Sequence, residues 1–284
     1  MTVTRIDTHQ HFWKYNQRDY VWMTSGMDKL RKDYLPPDLM PLMNAAGVGG
    51  TIAVQARQSL EESIWLLQLA EDYPFIRAVV GWVDLCGEGV IEQLEQFARH
   101  PKFRGVRHVV HDELDDEFML RKSFLLGLSQ LKRYGLTYDL LLFPRHLPVA
   151  CEVAKRLPDQ SFVLDHIAKP RIRTRDIEPW AADLRRLARF ANVSCKISGL
   201  VTEAAWDSWK PEDFRPYLDV VLDAFGSKRL MIGSDWPVCT LAAEYLSVIN
   251  LEAQYIAELS ADEQQAIWST NALEAYGIPP ERSK

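Results

Sequence analysis

Short apolar runs alternate with longer stretches of helical periodicity along the whole chain. Eight runs rich in apolar or β-branched residues predict strands over 4–8, 50–55, 76–83, 103–109, 136–142, 161–166, 193–197 and 230–234. Between them, apolar residues three and four apart predict helices over 60–73, 90–99, 119–134, 148–156, 177–190 and 214–225. A capping-box pattern from Ser260 to Glu263 opens a last helix, which ends near Gly277. Strand-then-helix alternation of this kind predicts a (β/α)8 TIM barrel, an α/β fold with a closed parallel sheet. No repeat, low-complexity tract or linker interrupts the pattern, so residues 1–284 are read as one domain. The stretch 11–38 is too long for a simple connection and carries Trp13, Tyr15, Tyr20 and Trp22. It reads either as a lid over the barrel mouth or as an oversized loop with its own aromatic core.

Composition narrows the partners more than the fold. The net charge of −6 contains no basic run, which argues against a nucleic-acid partner or an anionic membrane surface. The start lacks the blocks of a signal peptide, and no apolar stretch approaches the ~20 residues of a membrane span. A cytoplasmic protein with a small-molecule ligand is the expectation. Apolar stretches on outer helices could serve a homodimer. Cys86, Cys151, Cys195 and Cys239 are scattered, without CxxC spacing, and read as reduced thiols, most of them buried.

In a barrel of this type chemistry sits at the C-terminal ends of the strands, and here those ends are polar. His9 and His11 close strand 1, Gln55 strand 2, and Arg104, Arg107 and His108 belong to strand 4. Strand 5 carries Tyr138 and Asp139, strand 6 ends in Asp165 and His166, strand 7 holds Lys196, and Asp235 and Trp236 follow strand 8. Residues two apart on a strand face the same side, so both imidazoles of His9 and His11 can point into the mouth. The same alternation lets either Arg104 or Arg107 reach inward. Lys196 is a lone charge in an apolar strand, where burial without function would be costly. Lys169, just before Pro170, reads as a solvated loop residue.

Several segments together carry a more specific signal: IDTHQHFW (6–13), FRGVRH (103–108), YDLLLFPRHLP (138–148), DHIAKP (165–170), CKISGL (195–200) and GSDWPV (233–238). With them the chain resembles the amidohydrolase superfamily, in the lactonase branch that includes L-fuconolactonase, L-rhamnonolactonase and 2-pyrone-4,6-dicarboxylate lactonase. The resemblance implies hydrolysis of a sugar lactone to its aldonic acid. Asp235 would be the general base on water, and His166 the polarising donor, helped by His9, His11 and Tyr138. Arg104, Arg107 and Lys196 would meet the carboxylate of the product. Gln55, His108, Asp139, His146, Trp13 and Trp236 complete the candidate binding set, as hydrogen-bonding partners or an aromatic platform for the sugar. Of the superfamily's usual metal ligands, His9, His11, His166 and Asp235 match, which is enough for one zinc. Strand 4 offers arginines and strand 5 lacks the expected histidine, so metal-free catalysis is favoured and no cofactor is expected. Two rival readings share these residues: a metal-dependent hydrolase or decarboxylase of an aromatic carboxylic acid, and a non-catalytic barrel that binds sugar acids.

Overall fold

The computed structural model describes residues 4–280, so the first three and last four positions of the 1–284 domain reading lie outside the described residues. Eight parallel strands form one sheet in sequential order: β1 (Arg5–Gln10), β2 (Val48–Val54), β3 (Ile76–Gly81), β4 (Phe103–His108), β5 (Thr137–Leu140), β6 (Phe162–Leu164), β7 (Val193–Ile197) and β8 (Leu230–Ile232). Each lies within two residues of its predicted start. The sheet closes on itself where Gln10 bridges Trp236 and the Asp235 amide donates to the His9 carbonyl at 2.8 Å.

Helices α1 (Pro36–Ala46), α2 (Leu60–Asp72), α3 (Val90–Ala98), α4 (Lys122–Gln130), α5 (Leu147–Arg156), α6 (Trp180–Leu187), α7 (Pro211–Phe225) and α8 (Tyr245–Ile256) connect the strands. The helix predicted over 119–134 is broken: short 3-10 turns, Phe118–Leu120 and Leu131–Tyr134, flank α4. The predicted last helix is segmented into α9 (Ala261–Gln265), a π-turn and α10 (Asn271–Ala275). Its capping box is present, with the Ser260 amide donating to Glu263 Oε2 at 3.0 Å. Among the described residues no helix is long and apolar enough to cross a membrane.

Alternation along the strands sorts side chains into two cores. Ile6, Ile52, Val54, Ala78, Val80, Val163 and Met231 fill the barrel, and Tyr276, just past α10, packs with them. A second, larger core lies between sheet and helices, and Val106, Tyr138 and Phe162 belong to it. Cys151, Cys195 and Cys239 are buried free thiols, whereas Cys86 is exposed.

Candidate active site at the barrel mouth

The ends of β1 and β8 meet because Gly233 has no side chain: a Cβ there would lie 2.7 Å from the His9 Cβ. The Asp7 carboxylate then ties the two strands together, accepting from the Ser234 amide at 2.8 Å, the Ser234 hydroxyl at 2.6 Å and the Tyr245 hydroxyl at 3.2 Å. The Trp236 amide donates back to Ser234 Oγ at 3.0 Å. Between these anchored neighbours Asp235 takes a left-handed backbone, φ 57°, and turns its carboxylate into the mouth.

Three imidazoles face that carboxylate. His11 Nε2 is 3.3 Å from Asp235 Oδ1, and the Nε2 atoms of His9 and His166 are each 3.9 Å from it. His9 Nε2 and His11 Nε2 are 3.2 Å apart. The far nitrogen of each ring is also engaged: His11 Nδ1 donates to the Val54 carbonyl at 2.8 Å, His9 Nδ1 faces Asp165 Oδ1 at 3.2 Å, and His166 Nδ1 bonds Ser198 Oγ at 2.9 Å. With protons on the Nδ1 atoms of His9 and His11, the two Nε2 lone pairs would converge beside a carboxylate. Such a donor set suits a cation placed among the three groups. Ligands at about 2.0–2.1 Å around tetrahedral zinc lie about 3.3 Å apart, so His9, His11 and Asp235 fit one divalent ion.

Burial would raise the Asp235 pKa, but the imidazoles around it, His166 first, outweigh this and hold the carboxyl below its ordinary range. Burial pushes His166 down to about 4, against the opposing carboxylates Asp235 and Asp165. At neutral pH Asp235 is therefore ionised and His166 neutral.

His166 sits on an unusual turn. Residues 166–169 all have positive φ, at 53°, 48°, 62° and 51°, although none is glycine. Left-handed backbone costs about 1–2 kcal/mol per ordinary residue, so the surrounding structure must impose this turn. Trp180 does so by donating its indole N–H to the Ile167 carbonyl at 2.7 Å. Gly199 leaves room for the ring, since a Cβ there would lie 2.5 Å from His166 Nδ1.

Below the mouth lies a closed network of buried charge. Lys196 Nζ contacts Asp139 Oδ2 at 2.6 Å, Asp165 Oδ1 at 3.0 Å and His9 Nδ1 at 3.3 Å. Arg107 pairs with Asp165 Oδ2 at 3.0 Å, lies 3.3 Å from His9 Nε2 and donates to the Gln55 carbonyl. Tyr276 donates to Asp139 at 2.8 Å. Lys196 and Asp139 thus lie beneath the imidazoles; neither lines the mouth cavity.

Other sequence candidates lie elsewhere. Of the two arginines, Arg107 is the inward one, whereas Arg104 lies near Gly277, beyond the C-terminal helix and away from the mouth. His108 points into the helical layer, stacked on Phe118 and bonded to Glu113 Oε1 at 2.7 Å. His146 caps its own turn, accepting from the Phe143 amide at 3.1 Å, and faces Asp116. Gln55 is buried and donates to the Arg107 carbonyl at 3.2 Å. Trp13 is the centre of the 11–38 loop, its indole bonded to the Leu30 and Lys32 carbonyls, and Trp236 packs on Phe12 and Tyr34. Neither tryptophan lines the mouth, so neither is the platform expected for a ring; Trp22 and Trp206 do line it.

Tyr138 is also corrected. Its neighbour Asp139 takes the inward position, so the Tyr138 ring packs outward between Phe124 and Phe162, with its hydroxyl against the His108 backbone. Tyr138→Phe is therefore expected to keep kcat/KM within about twofold and stability within about 1 kcal/mol. Steady-state kinetics and a thermal melt check this; a hundredfold loss of kcat would return the hydroxyl to the site.

The mouth cavity, about 450 Å³, also takes in Arg57, His111, Lys169 and Glu203, which the sequence reading did not select for the site. A barrel that gathers three imidazoles around a carboxylate at its mouth has the make-up of a water-activating hydrolase. The chain belongs to the amidohydrolase family, whose profile matches residues 6–278. It is 43% identical to an L-fucono-1,5-lactonase of Burkholderia multivorans, over 98% of both chains. Its identity to an L-fucono-1,5-lactonase of Burkholderia ambifaria is 40%, over 85% of this chain and 83% of that one. The crystal structure of a Burkholderia multivorans amidohydrolase with bound zinc matches with a TM-score of 0.93 at 43% identity, covering 98% of this chain and 100% of that one.

Proposed function

We propose that this protein is a sugar lactonase that opens an aldono-1,5-lactone, L-fucono-1,5-lactone or a close relative, to the aldonate. The observation that carries the reading is the convergence of His9, His11 and His166 on Asp235 at the mouth of a monosaccharide-sized cavity. The similarity to two L-fucono-1,5-lactonases supports the substrate class.

Asp235 takes a proton from water as the water oxygen bonds to the lactone carbonyl carbon. The developing negative charge falls on the carbonyl oxygen. With Ser198 donating its hydroxyl to Nδ1, His166 carries its proton on Nε2 and offers it to that oxygen. When the tetrahedral centre collapses, the ring C–O bond breaks and Asp235 returns its proton to the departing ring oxygen. His9, His11 and Asp235 would hold a divalent ion, which when bound supplies Lewis-acid polarisation and a more acidic water. This departs from the metal-free expectation, because the end of β1 and the turn after β8 supply a three-ligand set without the missing strand-5 histidine.

A pH-indicator assay of aldonolactones, run before and after chelation and paired with metal analysis, tests both parts. About one ion per chain is expected, with turnover lost on chelation and restored by zinc. Full activity in metal-free protein would leave Asp235 working as a base alone. Failure to open any aldonolactone would remove the functional reading.

A further inference from the structure

One side of the mouth is built from polar groups that the reaction scheme does not use. Lys169 Nζ pairs with Glu203 Oε1 at 2.8 Å, and the two side chains are only 15% and 22% exposed. His111, from the turn after β4, lines the same cavity, stacked flat on Phe143. Its Nε2 lies 3.3 Å from Asp112 Oδ1, while its buried Nδ1 has no hydrogen-bond partner among the described residues. Burial and the nearby cations, Lys169 first, press His111 down to about 2, so the ring is neutral. With its proton on Nε2 toward Asp112, Nδ1 is a free acceptor. Burial disfavours the Lys169 cation, but the Glu203 and Asp235 carboxylates outweigh this and keep it charged.

The placement of Lys169 is not a by-product of a loose loop. It is the last residue of the left-handed turn that begins at His166, so one imposed backbone segment carries both side chains to the mouth. Glu203 reaches the same place from a short 3-10 turn after β7, Val201–Glu203. A sugar hydroxyl needs one donor for its oxygen and one acceptor for its hydrogen. Here a fixed cationic donor is paired with a carboxylate acceptor, and His111, with an acceptor nitrogen of its own, lines the same cavity as that pair and His166.

We propose that Lys169, Glu203 and His111 form the hydroxyl-recognition edge of the site, which selects polyhydroxylated lactones over bare ones of the same ring size. The assignment rests on the lactonase reading and goes beyond it by saying which residues read the ring substituents. Ring hydroxyls that meet Lys169 and Glu203 are held by charge-assisted hydrogen bonds, those that meet His111 by a neutral one, and a ring without hydroxyls gains nothing from them.

The test is a ratio: kcat/KM for the best aldono-1,5-lactone over kcat/KM for δ-valerolactone. Lys169→Met, Glu203→Gln and His111→Phe, the last of which keeps the stack on Phe143, are each expected to lower it about tenfold or more, with the loss carried mainly by KM. Lys169→Arg should recover part of the loss. An unchanged ratio, or an equal fall on both lactones, would overturn the proposal. Should the wild-type protein open no lactone, the functional reading fails separately, and calorimetric titration with the aldonate decides the recognition edge. Binding weakened tenfold in Lys169→Met supports it, and equal binding overturns it.

Discussion

Asp235→Asn is expected to lower kcat on the aldonolactone by roughly 10²–10⁴-fold, the range that a positioned general base contributes. Asparagine is the informative replacement, because position 235 has φ 57° and asparagine tolerates that left-handed backbone better than most residues. The Asp235 amide bond to the His9 carbonyl and the clamp of Asp7 on Ser234 do not involve the lost charge, so the turn should persist. What goes, on the proposed mechanism, is the acceptor for the water proton, together with the anionic member of the His9, His11 and Asp235 set. Metal analysis of the variant separates the two losses: retained metal with collapsed turnover isolates the base. In the wild-type enzyme, Asp235 must be ionised in the free protein to act as the base. Asp235 titrates below its ordinary range, so kcat/KM should hold level down to about pH 5, and a fall that sets in at higher pH would count against Asp235 as the base. An Asn variant within tenfold of wild type would end the proposed mechanism.

The barrel was legible because its strands are short apolar runs separated by helix-length amphipathic intervals, and buried parallel strands have to look that way. The ends of β6 and β8 were not. The predicted sixth strand runs on to His166, which instead turns left-handed, and the predicted eighth stops one residue short of Asp235, which does the same; neither position is a glycine or an asparagine. Tertiary contacts impose those turns, through Trp180 on Ile167 and Asp7 on Ser234, over distances a local pattern cannot carry. Helices α1 and α8 were passed over as well. Pro41 inside α1 disguises it, and α8 buries Glu252 on its apolar face.

Among site residues, strict strand alternation separates inward from outward once the register is known. Arg107 pairs in register with Asp139 and both face in, which sends Tyr138 and His108 out. Sequence reading had kept both members of each neighbouring pair. Lys169 and His111 were missed for another reason: they lie on turns beyond strand ends, where spacing says little about direction. Their one available signal was position, shortly after β6 and β4 on the catalytic side of the barrel.

Lys196→Met should destabilise the protein by about 3–5 kcal/mol near neutral pH, because it removes one partner from a buried ion network and strands the others. Asp139, Asp165 and Lys196 are fully buried and Arg107 nearly so, giving two carboxylates and two cations in contact. Methionine fills the volume of the lysine stem, so packing loss is small and the effect is electrostatic. Its pH dependence has a definite sign. Burial already raises Asp139 to about 6 against the pull of Lys196, and removing that cation raises it further. A carboxyl with a raised folded pKa contributes stability below its unfolded pKa and loses it as pH rises through the folded value. The gap between variant and wild type should therefore be widest above pH 7 and narrow toward pH 4–5, where Asp139 takes up a proton. Adding Asp139→Asn to Lys196→Met should restore part of the loss at pH 8. Denaturant unfolding at several pH values reads all of this, and a deficit that is the same from pH 5 to pH 8 would mean that Lys196 matters for shape and not for charge. The same network faces His9 Nδ1 through Asp165 and Lys196, so its stability and the orientation of the first imidazole of the site depend on one set of buried charges.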